Sequence, residues 1–148
     1  MRNYEDLEVW QRAHALSIQL YRITEGFPRT ETFGLTSQIR RAAGSIGANL
    51  AEGSGRWGDV ELARFIRIAM GSASELQNHL RLARDLGFLC ESHYGASMMD
   101  LTSIRQMLTA FLQSLRRAPT TPNVVSVLEN SETRKANGEK RSAKRVKP

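Results

Sequence analysis

The chain has a single cysteine in 148 residues, Cys90, which excludes an internal disulfide, a cysteine-rich zinc site and a redox Cys-x-x-Cys pair. Prolines number only four and aromatics 7% of residues, so the punctuation of a many-turned β-sandwich is missing. No apolar run approaches the roughly 20 residues of a membrane span. Residues 1–10 are acidic where a secretory signal would be basic, and the expected location is the cytoplasm. Histidine is limited to His14, His79 and His93. A di-iron bundle needs two Glu-x-x-His pairs, whereas the nearest pattern here, Glu75 to His79, is one residue too long and occurs once. No metal and no other cofactor is expected.

Catalytic patterns are equally thin. Gly53-Ser54-Gly55-Arg56 lacks the preceding strand and the following Lys-Ser/Thr of a phosphate loop, and its glycines read as a left-handed helix end and a sharp turn. Cys90 precedes His93 by three residues but has no evident orienting partner for nucleophilic chemistry. The expectation is a protein that is not an enzyme.

What is present is helical periodicity. With 41% hydrophobic and 24% charged residues, the composition suits one globular domain. Val9, Ala13, Leu16, Leu20, Ile23 and Phe27 form one apolar stripe, predicting a helix over residues 5–25 that Asn3 can cap and that Gly26 and Pro28 stop. Leu35, Ile39, Ala42, Ile46 and Leu50 predict a second helix over 35–52, ended by Gly53-Ser54-Gly55. A third begins after Asp59 as N-cap, and Leu62, Ile66, Ala69, Ala73, Leu76, Leu80 and Ala83 carry it to Gly87. Tyr94, Met98, Leu101, Ile104, Leu108, Phe111 and Leu115 place a fourth over 91–117. Four such helices on short links predict an all-α, antiparallel up-down-up-down four-helix bundle over residues 1–118. Residues 119–148 offer too few apolar side chains to offset the entropy of ordering them, and a disordered basic tail is expected.

Charge divides along the same boundary. Residues 134–148 hold seven cations (Arg134, Lys135, Lys140, Arg141, Lys144, Arg145 and Lys147) against Glu139, which accounts for the whole net charge of +6. All four lysines lie there, so every basic residue of the body is an arginine. Such a run reads as a phosphate-binding arm or as a solubilising extension. In the body, Arg64, Arg67 and Arg81 lie on the polar face of the third helix, and Arg40 and Arg41 adjoin near the start of the second. They form either a solvated, locally paired face or a nucleic-acid surface.

Two polar positions fall where the stripes predict burial: Asn49 on the second helix, and Glu75 beside Ser72 on the third. A buried amide or carboxylate needs partners, so these residues read as a polar lock between the two helices, with a ligand site as the alternative. Gly44, Gly47, Ala48, Ala51 and Gly55 make the second helix small on one surface, at about 1 kcal/mol of helix propensity per glycine. Close approach of another helix offsets that cost, either within the bundle or across a subunit interface. Tyr4, Trp10 and Trp57 are candidates to anchor such an interface or to be buried internally.

Tyr4, Asp6-Leu7, Val9-Trp10, Phe27-Pro28, Phe33-Gly34-Leu35-Thr36, Gln38-Ile39-Arg40-Arg41-Ala42-Ala43, Ser45-Ile46, Asn49-Leu50-Ala51-Glu52-Gly53 and Arg56 stand in one order, followed by Phe65, Gly71-Ser72, Glu75-Leu76 and Gly87. Over about residues 4–117 this pattern resembles the bacterial four-helix-bundle proteins encoded in intervening sequences of 23S ribosomal RNA. Those are in turn similar to the accessory variability determinant of diversity-generating retroelements. The resemblance implies a homo-oligomer in the form of a ring-like pentamer, no known enzymatic activity, and nucleic acid as the candidate ligand; the retroelement relative partners a reverse transcriptase. Gly47 stands where many members carry proline, so a kink expected there is softened. The expectation is a cytoplasmic, non-enzymatic oligomer that binds RNA or DNA through Arg40, Arg41, Arg56, Arg64, Arg67, Arg81 and the tail cations. Asn49, Glu52, Ser72 and Glu75 are expected to act as structural polar residues. The alternative is a scaffold docking a partner protein such as a reverse transcriptase, with nucleic acid incidental.

Overall fold

A computed structural model describes residues 2–117. Within them lie four helices: α1 (Glu8–Thr24), α2 (Leu35–Gly55), α3 (Asp59–Asp85) and α4 (Glu91–Arg117). Single 3-10 turns at Tyr4–Asp6 and Arg29–Glu31 precede α1 and α2. Each helix packs on its neighbours in sequence and α4 closes against α1, which is the up-down arrangement expected of short links; α2 and α3 make the most extensive contact. The predicted tail, residues 119–148, lies outside the described residues. Among those described, no helix is long and apolar enough to cross a membrane.

The apolar stripes meet at the bundle axis. Leu16 and Leu20 from α1, Ile39, Ile46 and Leu50 from α2, Ile66, Leu76 and Leu80 from α3, and Leu101, Ile104 and Leu108 from α4 are all at most 2% exposed. Each such side chain contributes about 1.5–3 kcal/mol by leaving water.

The helix ends differ from expectation in three places. Asn3 does not cap α1: its Oδ1 accepts the Glu5 N–H at 3.2 Å and starts the 3-10 turn. The chain then becomes extended at Leu7 before α1 begins, a break that lets Tyr4 pack edge-on against Trp10, with ring centroids 5.1 Å apart. Second, α2 does not stop at Glu52 but continues through Gly53-Ser54-Gly55. Neither glycine is left-handed. Gly53 is required instead by close approach, because a Cβ there would lie 2.7 Å from Phe65 Cβ and 3.1 Å from Leu62 Cδ1. Third, α3 is entered through Gly58, at φ 87°, and Asp59 is its first helical residue rather than its cap.

The end of α3 follows a Schellman pattern. Gly87 (φ 79°) donates to Arg84 O and Phe88 donates to Ala83 O, both at 2.9 Å, satisfying carbonyls of the last turn. At the other loop Glu31 Oε2 accepts the Leu35 N–H at 3.0 Å, capping α2.

Candidate nucleic-acid interface

The α2–α3 seam contains a short polar chain. Asn49 Nδ2 donates to Ser45 O at 2.8 Å and to Ser45 Oγ at 3.0 Å. The Ser45 and Ser72 hydroxyls lie 2.8 Å apart, and Ser72 Oγ donates to Ile68 O at 3.2 Å. Donors therefore run in one direction, from Asn49 through Ser45 and Ser72 to the Ile68 carbonyl, and each hydroxyl has both roles filled. Asn49 and Ser72 are thus brought together through Ser45. Glu75 is not. Its side chain is exposed and meets His79 Nε2 at 3.3 Å, which corrects the expectation that it faces the core. Glu52 is also exposed and pairs with Arg56 at 2.6 Å; that hydrogen bond raises the Arg56 pKa above its ordinary value.

The body arginines separate into engaged and unengaged groups. Arg40 is committed to the fold: its Nε donates to Thr24 Oγ1 at 2.9 Å, its Nη2 donates to Tyr21 O at 3.1 Å, and its guanidinium lies 4.7 Å from the Tyr21 ring centroid. A cation bonded to a carbonyl of the last turn of α1 also complements the dipole of that helix. Arg41 reaches Gln38 Oε1 at 3.2 Å, and Arg64 lies 3.7 Å from Glu61. Arg67 and Arg81 are exposed and hold no acidic partner among the described residues.

Arg64, Arg67, Gly71, Ser74, Asn78 and Arg81 recur at steps of three and four, so they share the outer face of α3. The face spans about 25 Å from Arg64 to Arg81 at the helical rise. It continues onto α4, where Arg105 donates to Gln77, one turn before Arg81. From residue 101 to 117 α4 carries Arg105, Arg116 and Arg117 and no acid. Beside Arg105 lies a surface hollow of about 430 Å³ lined by Thr102, Gln106, Thr109 and Gln113. These α4 residues were not singled out by sequence reasoning; the absence of acid from the second half of α4 was the available signal. Arg134, Lys135, Lys140, Arg141, Lys144, Arg145 and Lys147 lie outside the described residues.

The small-residue surface of α2 has two explanations. A Cβ on Gly47 would be 3.4 Å from Trp10 Nε1, so an internal neighbour accounts for that glycine. Gly44 and Gly55 face open space. Trp10 and Tyr4 are half-buried within the bundle, whereas Trp57 is 89% and Val60 82% exposed. Cys90 Sγ accepts the His93 backbone N–H at 3.5 Å at the start of α4. Among the described residues no three His, Cys, Asp or Glu side chains cluster to hold a metal.

Residues 5–110 match the 23S rRNA-intervening sequence protein family. The chain belongs to that family. The intervening-sequence protein fold is shared with a crystal structure from Bacteroides thetaiotaomicron, described as a protein of unknown function from the S23 ribosomal protein family. The two are 21% identical with a TM-score of 0.64, over 70% of this chain and 97% of the other. No curated protein matches the chain significantly.

Proposed function

We propose that this intervening-sequence protein is a non-enzymatic homo-oligomer that binds RNA or DNA through the outer face of α3 and the adjoining half of α4. The observation that carries the reading is that Arg67 and Arg81 stand exposed on one face with no acidic partner among the described residues, while Arg105 extends that face. Unpaired guanidiniums are free to take phosphates bidentately, whereas Arg40, held by three contacts to α1, is not. The tail cations add sequence-independent attraction. Self-association is supported by Trp57 and Val60, large apolar side chains exposed at the α2–α3 junction, and by the open glycines of α2. A pentameric ring would present five copies of a weak arginine face and multiply its affinity.

The second reading is a scaffold whose exposed Phe33, Trp57, Val60 and Met99 dock a partner protein such as a reverse transcriptase. Anisotropy with a labelled RNA separates the two. A nucleic-acid binder retains salt-sensitive affinity when the chain ends at Pro119, and that affinity and its salt dependence fall in Arg67→Gln/Arg81→Gln; a scaffold loses polyanion binding with the tail.

A further inference from the structure

At the junction between α2 and α3 lies a half-open hollow of about 110 Å³, lined by Arg2, Ser54, Arg56 and Asp59 together with Gly58 and the apolar Leu62. Its chemistry is unbalanced. Ser54 is 3% exposed and its hydroxyl has no hydrogen-bond partner among the described residues, although a buried hydroxyl ordinarily finds one. Helix α3 begins on Gly58, which has no side chain to accept from the N–H groups of its first turn, and none among the described residues replaces it. Two guanidiniums flank the same space, Arg2 lying 3.6 Å from Asp59 and Arg56 lying 2.6 Å from Glu52. The Arg2–Asp59 separation exceeds the roughly 2.7–2.9 Å of a hydrogen-bonded ion pair. A hydroxyl-bearing residue, a helix N-terminus and two arginines therefore border one space, Arg56 already being paired with Glu52, and the one acidic residue that lines it is the loosely held Asp59. Ser97, the other buried hydroxyl without a partner among the described residues, is fully enclosed in the core and does not line this hollow.

We propose that this pocket binds a phosphate group. The volume suits a single small oxyanion, since pockets for whole drug-sized ligands run from about 300 Å³ upward. The anion caps α3, accepts from Ser54 Oγ, and competes with Asp59 for Arg2. Asp59 thereby opposes binding and sets a modest affinity. The site does not depend on the α3 arginine face, because Arg64, Arg67 and Arg81 do not border it. The phosphate is either free or the terminal group of a nucleic acid.

Calorimetry and melting curves of the full chain with sodium phosphate, against sodium chloride of equal ionic strength, test the site. Phosphate should raise the melting temperature of the wild type, Ser54→Ala and Arg56→Gln should each weaken binding about tenfold, and Asp59→Asn should tighten it by a similar factor. Should Ser54→Ala not fold, Asp59→Asn still decides, since its charge change lies at the exposed rim. A wild type with no phosphate response beyond ionic strength, or variants indistinguishable from it, overturns the proposal. One oligoribonucleotide carrying a 5′-phosphate or a 5′-hydroxyl then distinguishes the sources. Tighter binding of the phosphorylated form, lost in Ser54→Ala, assigns the pocket to nucleic-acid ends, and equal binding assigns it to free phosphate.

Discussion

Ser45 carries more of the α2–α3 seam than its size suggests, because it both accepts from Asn49 and joins the Ser72 hydroxyl. Ser45→Ala removes one partner each from Asn49 and the buried Ser72, which keep their bonds to the residue 45 and Ile68 carbonyls, and should cost about 0.5–1.5 kcal/mol in chemical denaturation. Glu75→Gln, on an exposed side chain, should stay within about 0.5 kcal/mol. The sequence placed Asn49 and Glu75 together, and only Asn49 reaches the seam. Glu75 directly precedes the core residue Leu76, about 100° around the helix, and its seven-residue relatives Ile68 and Leu82 are themselves 43% and 46% exposed. A seven-residue step drifts around a straight α-helix, so the stripe through Glu75 runs along the rim of the bundle rather than its axis. Arg40 was equally hard to assign, because nothing local announces that Thr24 and Tyr21 wait across the α1–α2 loop. Arg40→Gln should lower the melting temperature while leaving the salt dependence of RNA binding unchanged.

At the level of elements, the second helix shows how one residue type serves different ends. Gly53→Ala drives a Cβ into Phe65 and should destabilise by about 1–3 kcal/mol, despite the better helix propensity of alanine. Gly55→Ala meets open space within the chain and should stabilise the isolated bundle by about 0.4–1 kcal/mol. A Gly55→Ala chain that melts higher yet assembles less would place Gly55 in a subunit contact. All four helices and their buried stripes were readable from periodicity, as α3 illustrates: every one of its predicted apolar positions, from Leu62 to Ala83, is buried. The boundaries were less readable where tertiary contacts decide them. Gly53 looks like a terminator in sequence but lies inside α2, where the approach of Phe65 leaves no room for a Cβ, whereas the glycine with positive φ between the helices is Gly58. Asn3 has the chemistry of an N-cap, but it caps the 3-10 turn at Tyr4, and the extended Leu7 separates that turn from α1.

For the whole molecule, the proposal links assembly to binding: a weak, unpaired arginine face becomes effective when symmetry repeats it. Light scattering across a concentration series should return a homo-oligomer, with five chains as the expected number, and Trp57→Ser/Val60→Ser should shift it toward monomer. A wild type that stays monomeric at high micromolar concentration removes the ring. The tail should add affinity without selectivity, because flexible Lys and Arg contact phosphates and not base edges. Ending the chain at Pro119 should therefore make the slope of log K against log salt shallower by about 3 to 5, at roughly 0.7–0.9 per phosphate contact. The body face is the central claim, and it is tested most directly by that slope in the chain ending at Pro119, with and without Arg67→Gln/Arg81→Gln. On single-stranded RNA the account predicts residual salt-dependent binding whose slope falls by about 0.7 for each arginine contact removed. Equal slopes and affinities for the two chains would contradict it.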